Sequence, residues 1–262
     1  MIAEKKQLCK ILDDEKKNEN HCQKFLEANP DLMIYDFLLN HHIHFNSIIS
    51  KFPLDTSLIS DFVYLTKSSN KWRIVFVELE KQHKKLFTEN KKQITPTADF
   101  TSALSQIDSW RDFIKRNEIE VVRRLSPLRV PLSKNIYEFK FVLIIGRDFK
   151  VKDNQAMRDR LATYEKEDLI IHTYDSLLRY KKNFVSSTPN ILSLTKNSYT
   201  FEKLHSEPES LFAYLSTEHF LLSSKDRAQL VSWGYDIDSW EKGKPLTYNG
   251  KYVSAKDAKK AI

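Results

Sequence analysis

The sequence predicts an α/β fold in which a mixed central β-sheet is flanked by helices, with a small C-terminal appendage. Three observations predict it. Residues 61–66 (DFVYLT) and 72–80 are rich in β-branched and aromatic residues and are joined by the polar KSSN, the pattern of a hairpin. Residues 136–146 (IYEFKFVLIIG) become wholly apolar, as a strand covered on both faces must. Helical patterns alternate with these strands, so the order hairpin, helix, strand, helix, strand, helix calls for a layered sheet.

Taken in order, residues 3–28 place Leu8, Ile11, Leu12, Cys22, Phe25 and Leu26 at helical spacing, and Asn29-Pro30 ends the pattern. A second apolar stretch runs from Leu32 to Phe45. Within it His41, His42 and His44, beside Ile43 and Phe45, read as a polar loop or helix end rather than a metal site. In the hairpin, pairing Thr66 with Lys71 sets Asp61 opposite Phe76 and on the face that carries Glu78. A slip of one residue would turn Asp61 away.

PTAD then prepares a helix over 100–116, with Asp99 as N-cap. Leu104, Ile107, Phe113 and Ile114 supply its apolar side, and Gln106 and Trp110 lie four apart on a neighbouring stripe. A polar helix near 153–166, a strand at 168–173 (DLIIHT) and a helix capped by Asp175 follow. Beyond 190 the pattern weakens. SLTKNSYTFEKLHSEPES reads as a connector, and LFAYLSTEHFLL and DRAQLVSWGYDIDSW read as short helices. The chain therefore divides into residues 1–190 and a mostly helical appendage, 191–262. In the appendage Trp233, Tyr235 and Trp240 pack within their own chain or serve as a docking or oligomer contact.

Composition narrows the chemistry. At 262 residues and 41% hydrophobic content, the chain buries one large core or a core plus a small module. A net charge of +7 suits a polyanionic partner without demanding one. Two cysteines, Cys9 and Cys22, are too few for a disulfide framework or a zinc site. With no secretory pattern and no apolar run of the ~20 residues a membrane helix needs, a soluble cytoplasmic protein without membrane partners is expected. Four glycines cannot build a glycine-rich phosphate loop, and no G-x-S-x-G elbow is present.

What remains is RIVFVELEKQ, residues 73–82. On a strand Ile74, Phe76, Glu78 and Glu80 share one face, the two glutamates ~6.6 Å apart along the backbone. Neighbouring carboxylates at the end of an apolar run need a cation, a shared proton or solvent; an isolated E-x-E is most simply a strand running out into water. Asp61 changes that balance, because the spacing becomes D-x16-E-x-E at a sheet edge. A hard divalent ion prefers one or two carboxylates, a carbonyl and waters, a set that Asp61, Glu78 and the Leu79 carbonyl could supply.

FVELEKQHKKLFTEN, TADFTSALSQIDSWRDFI, FVLIIGRD and IIHTYDSLLRY, in this order and preceded by ENHCQKFLEANPDLM, resemble the DUF4263 domain of the Shedu anti-phage defence nucleases. The similarity covers roughly residues 19–185, and that family lies in the PD-(D/E)XK nuclease superfamily. It implies a restriction-endonuclease-like core that cleaves DNA phosphodiesters with Mg²⁺ or Mn²⁺, and a homo-oligomer. Asp61 and Glu78 would ligate the metal together with the Leu79 carbonyl. Gln106, with Trp110 one turn later, would brace the site and meet the phosphate backbone, and Glu19 and Gln23 fall where the opening helix meets it.

Glu80 stands where the superfamily pattern has lysine. It would bind a second cation or accept a proton from the attacking water, so it joins the catalytic and metal set, while Lys81 lies on the opposite face. DNA would be held through phosphates by Lys81, Lys84, Lys85, Lys91, Lys92, Arg111, Lys115, Arg123 and Arg124. Arg147 reaches the substrate or pairs with an acid. The alternatives are a catalytically degenerate nuclease fold that senses DNA, or an interaction protein with a basic face.

Overall fold

The structure, a computed structural model, describes residues 2–88, 93–148, 151, 154–180 and 187–260. Helices α1 (Ile2–Asp13) and α2 (Glu19–Ala28) lead into strands β1 (His41–Pro53), β2 (Ile59–Lys67) and β3 (Lys71–Leu79). The long helix α3 (Ala98–Leu125), β4 (Ile136–Ile144), α4 (Gln155–Ala162), β5 (Leu169–His172) and α5 (Tyr174–Arg179) follow. Then come β6 (Asn190–Thr195), β7 (Ser198–Lys203), α6 (Leu211–Tyr214), β8 (Phe220–Leu221), α7 (Ser224–Ser232), α8 (Ile237–Glu241) and α9 (Ala255–Lys260). These eight strands of the described residues form one sheet in the order β5-β4-β3-β2-β1-β6-β7-β8. It is mixed: β1, β2 and β3 run antiparallel, whereas β3–β4, β4–β5 and β1–β6 are parallel.

The sheet separates two cores. On one face Trp72, Ile74, Phe76 and Phe141 pack with Ile107 and Trp110 of α3. On the other, Phe62, Val75, Val77 and Ile144 meet Leu8 of α1, Cys22 and Leu26 of α2, and Tyr174 of α5. Alternate residues of β3 thus enter different cores, which is why a strand buried on both sides reads as an unbroken apolar run.

The hairpin forms, with its register shifted by two. Thr66 pairs with Arg73 rather than Lys71, because the turn closes over 68–71 with Ser68 N–H donating to Lys71 O at 2.9 Å. A shift of two preserves which face each side chain takes, so Asp61 stays on the Glu78 side. Helix α3 starts earlier and runs further than 100–116. Its cap is Thr97, whose hydroxyl accepts the Phe100 N–H at 3.1 Å, and Asp99 sits in the first turn. Likewise Thr173, not Asp175, is the N-cap position of α5.

Two segments correct the sequence reading more deeply. The histidine cluster opens β1, a strand the sequence pattern hid, and His44 packs against Phe45 with ring centroids 3.8 Å apart and planes tilted by 34°. Phe45, Asn46 and Lys51 all have positive φ, and the register with β2 shifts between Ile43 and Ile48. Such irregularity destroys the period-two alternation by which strands are recognised. The expected connector after 190 forms β6 and β7, and β6 extends the sheet by pairing with β1. In the C-terminal region Trp240 is buried against Phe212, centroids 5.0 Å apart, and its Nε1 donates to Leu215 O at 2.7 Å. These aromatics pack within their own chain.

Candidate acidic site at the end of the central strands

Pairing of the strands brings one lysine and two acids into a row. β1 and β2 pair Ser50 with Phe62 and Phe52 with Ser60, so Lys51 falls opposite Asp61. The β2–β3 ladder includes Phe62–Val77, and one further step sets Asp61 opposite Glu78. The row therefore reads Lys51, Asp61, Glu78 across three strands, with α3 lying over it.

Both acids are buried, Asp61 at 6% and Glu78 at 7% exposure. Lys51 Nζ lies 2.6 Å from Asp61 Oδ1, and Asp61 Oδ2 accepts the Leu79 N–H at 2.7 Å. Gln23 of α2 donates to the Asp61 carbonyl at 3.3 Å and to Ser50 Oγ at 3.1 Å. Gln106 of α3 donates to Glu78 Oε1 at 2.6 Å. Glu78 Oε2 is buried and accepts no hydrogen bond from the described residues. Two helices from opposite faces of the sheet thus reach the row, α2 at the Asp61 backbone carbonyl and α3 at the Glu78 carboxyl.

Burial, followed by the charges of Asp61 and Glu80, pushes the Glu78 carboxyl up to about 9. Burial also raises Asp61, opposed by the Lys51 ammonium and the Leu79 N–H, while nearby Glu19 adds to the rise. Among the described residues Glu19 Oε2 is itself buried without a hydrogen-bond partner.

Glu80 follows the last residue of β3. Its N–H donates to Ile144 O at 2.8 Å, its carbonyl accepts from the Tyr174 hydroxyl at 2.8 Å, and its carboxylate pairs with Lys84 at 2.8 Å. Gly146 makes that turn possible. Its φ is +63°, and an added Cβ would stand 2.3 Å from Lys84 O. Lys81, by contrast, is exposed, with its backbone N–H 3.3 Å from Glu80 Oε2.

Other expected contacts fall differently. Trp110 is fully buried and packs edge-on to Phe76 with centroids 6.4 Å apart, so it braces β3 and cannot meet a phosphate backbone. Arg111 is bound to Asp168 through Nε at 2.7 Å and also pairs with Asp108. Arg147 pairs with Asp175 at 2.8 Å and Asp13 at 2.7 Å. Arg123 and Arg124 both pair with Glu120. Lys115 is exposed on α3. Lys85, with Lys84, Arg147, Leu86 and Phe87, lines a cavity of about 460 Å³ whose lining includes none of Asp61, Glu78 and Glu80. Lys91 and Lys92 lie outside the described residues.

Lys51 escaped the sequence reading. No motif marks it, and only the β1–β2 register reveals its place.

Carboxylate oxygens are donors of the kind that Mg²⁺ or Mn²⁺ takes, and among the described residues Glu78 Oε2 is buried with no hydrogen-bond partner. The side chains themselves are held otherwise. Among the described residues no three or more His, Cys, Asp or Glu side chains group to hold a metal ion. Asp61 is turned to Lys51 and Glu80 to Lys84. The Leu79 backbone reaches the row through its N–H to Asp61. Among the described residues no helix is long and apolar enough to cross a membrane.

The family model for the C-terminal region of the Shedu protein SduA matches residues 16–178. That span contains α2, the Lys51–Asp61–Glu78 row and α3. No curated protein matches the chain.

Proposed function

Since the chain belongs to the Shedu SduA C-terminal family, a membership that suggests anti-phage defence, we propose that it is a metal-dependent endonuclease cutting DNA phosphodiesters. One observation carries the reading. Asp61 and Glu78 are brought opposite each other in a buried row, where Glu78 keeps an oxygen with no hydrogen-bond partner among the described residues. A folded chain has little reason to retain such a pair for stability, because each carboxylate raises the cost of ionising the other.

In this reading Asp61 and Glu78 would hold Mg²⁺ or Mn²⁺, with the Leu79 carbonyl as a further donor. A bound divalent ion supplies charge neutralisation at the scissile phosphate and lowers the pKa of a water. Gln106 keeps the Glu78 carboxyl oriented, and Gln23 fixes the Asp61 backbone. Glu80, whose carboxylate is paired with Lys84, would accept the proton of the attacking water in place of that pairing. The restriction-endonuclease-like core, the cytoplasmic location and assembly as a homo-oligomer belong to the same proposal. DNA is held through phosphates by Lys81, Lys84, Lys85 and Lys115, which predicts a steep loss of binding with salt.

The second reading is a degenerate nuclease fold that binds DNA without cutting it. The ion pairs of Lys51 and Lys84 favour it, since they neutralise two of the three acids. Incubating supercoiled plasmid with Mg²⁺ or Mn²⁺, with and without EDTA, separates the two. The nuclease reading expects metal-dependent nicking that Glu78→Ala and Asp61→Ala abolish in folded protein. Equal nicking by these variants overturns the site. Binding without nicking by the parent selects the second reading.

A further inference from the structure

We infer that Lys51 is a further catalytic residue: it serves as the resident counter-ion of Asp61, yields that carboxylate to an incoming divalent cation, and then places its ammonium against the scissile phosphate. The inference rests on the nuclease reading of the same site.

Four observations carry it. Lys51 Nζ is 2.6 Å from Asp61 Oδ1, within the cross-strand row that continues to Glu78. The Lys51 side chain is 49% exposed while that of Asp61 is 9% exposed, so the ammonium stands at the mouth of the row, between a buried acid and solvent. Moreover, Lys51 has φ +50°, a left-handed conformation that costs a non-glycine residue of order 1 kcal/mol. The chain keeps that cost at this one residue between Ser50 and Phe52, both of which are paired regularly with β2.

Charge and chemistry explain what the ammonium does. An ammonium and a hard dication compete for the same carboxylate oxygen, and at close range the dication is the stronger partner. Lysine is a compact point charge on a flexible stem, so once displaced it keeps its charge and moves a few ångströms instead of leaving the site. Phosphoryl transfer concentrates negative charge on the equatorial oxygens, and a positioned cation there stabilises the transition state. Lys84, paired with Glu80, has a side chain only 19% exposed and is less open to solvent than Lys51.

The two roles predict effects of opposite sign. Lys51→Met removes the competitor of the metal and the partner of the phosphate together. Mn²⁺ binding, read without DNA by the electron paramagnetic resonance of the free ion, should tighten roughly 5-fold. Plasmid nicking at saturating Mn²⁺ should fall roughly 100-fold, with Lys51→Arg recovering part of it. A merely structural lysine would weaken both. Unchanged or weaker Mn²⁺ binding by Lys51→Met with an unchanged unfolding transition overturns the inference, as does parental nicking. If Lys51→Met does not fold, Lys51→Gln carries the same expectation, and failure of both to fold assigns Lys51 a structural role and overturns the inference. Absence of Mn²⁺ uptake by the parent sinks the nuclease reading itself, whereas uptake that ignores Lys51 sinks only this inference.

Discussion

The two ends of strand β3 treat charge in opposite ways. At its start Arg73 sits across from Glu138 of β4, and the Glu138 carboxylate accepts from Arg73 Nε at 2.9 Å and Lys71 Nζ at 2.8 Å. Hydrogen bonds from these two cations hold Glu138 down at about 2. At its far end Glu78 faces Asp61, receives one amide hydrogen bond from Gln106, and is pushed up to about 9, chiefly by burial. The strand backbone, the hairpin and the parallel partner are the same. The difference teaches that charge serving the fold comes with its own partners, whereas charge awaiting a partner from outside is left under-compensated.

Exchanging the two ends should give the largest contrast. Glu78→Ala should lower metal-dependent nicking about 10³-fold, while Glu138→Ala should leave it within about twofold. Comparable losses in initial nicking rate for both variants would erase the functional distinction between the ends.

Stability against pH in EDTA should come next. Glu78 has its folded pKa raised from 4.5 to about 9, so between those values the unfolded chain has released a proton that the folded chain retains. The sign follows: the stability contributed by the neutral group is complete below pH 4.5 and is lost as pH rises toward 9. The slope approaches ~1.4 kcal/mol per pH unit for one proton. Glu78→Gln should flatten that decline and raise stability at pH 8 by ~2–4 kcal/mol, read by urea unfolding. An unaltered pH profile would mean that Glu78 is ionised in the folded protein.

Smaller effects sharpen the comparison. Gln106→Leu removes the hydrogen bond to Glu78 Oε1, and nicking should fall about 10-fold with a stability change of ~1 kcal/mol. A loss as large as that of Glu78→Ala would give Gln106 more than an orienting role. At the compensated end, Glu138→Gln should cost ~1 kcal/mol at neutral pH, discounted because the ion pair is partly solvated. Here the pKa is depressed. The stabilisation is therefore present above the unfolded value of 4.5 and disappears as pH falls toward about 2.

The sequence by itself determined a good part of this molecule. The β2–β3 hairpin, the core of α3, the apolar β4 and the short β5 are legible because each obeys one periodicity over a local stretch. The shared face of Asp61 and Glu78 is legible for the same reason, since alternation along a strand encodes parity. Parity says nothing about a shift of two, so the direct opposition of Asp61 and Glu78 had to come from the turn at 68–71. Only tertiary structure decided the rest. β1 is broken by positive φ at Phe45, Asn46 and Lys51, and β6 joins it from far along the chain, so neither leaves a local signal. The pairing of Lys51 with Asp61 and of Lys84 with Glu80 depends on that strand and on the tight turn under Gly146. Side-chain periodicity is a property of one segment, whereas the cation that meets a buried acid is chosen by which segments the sheet brings side by side.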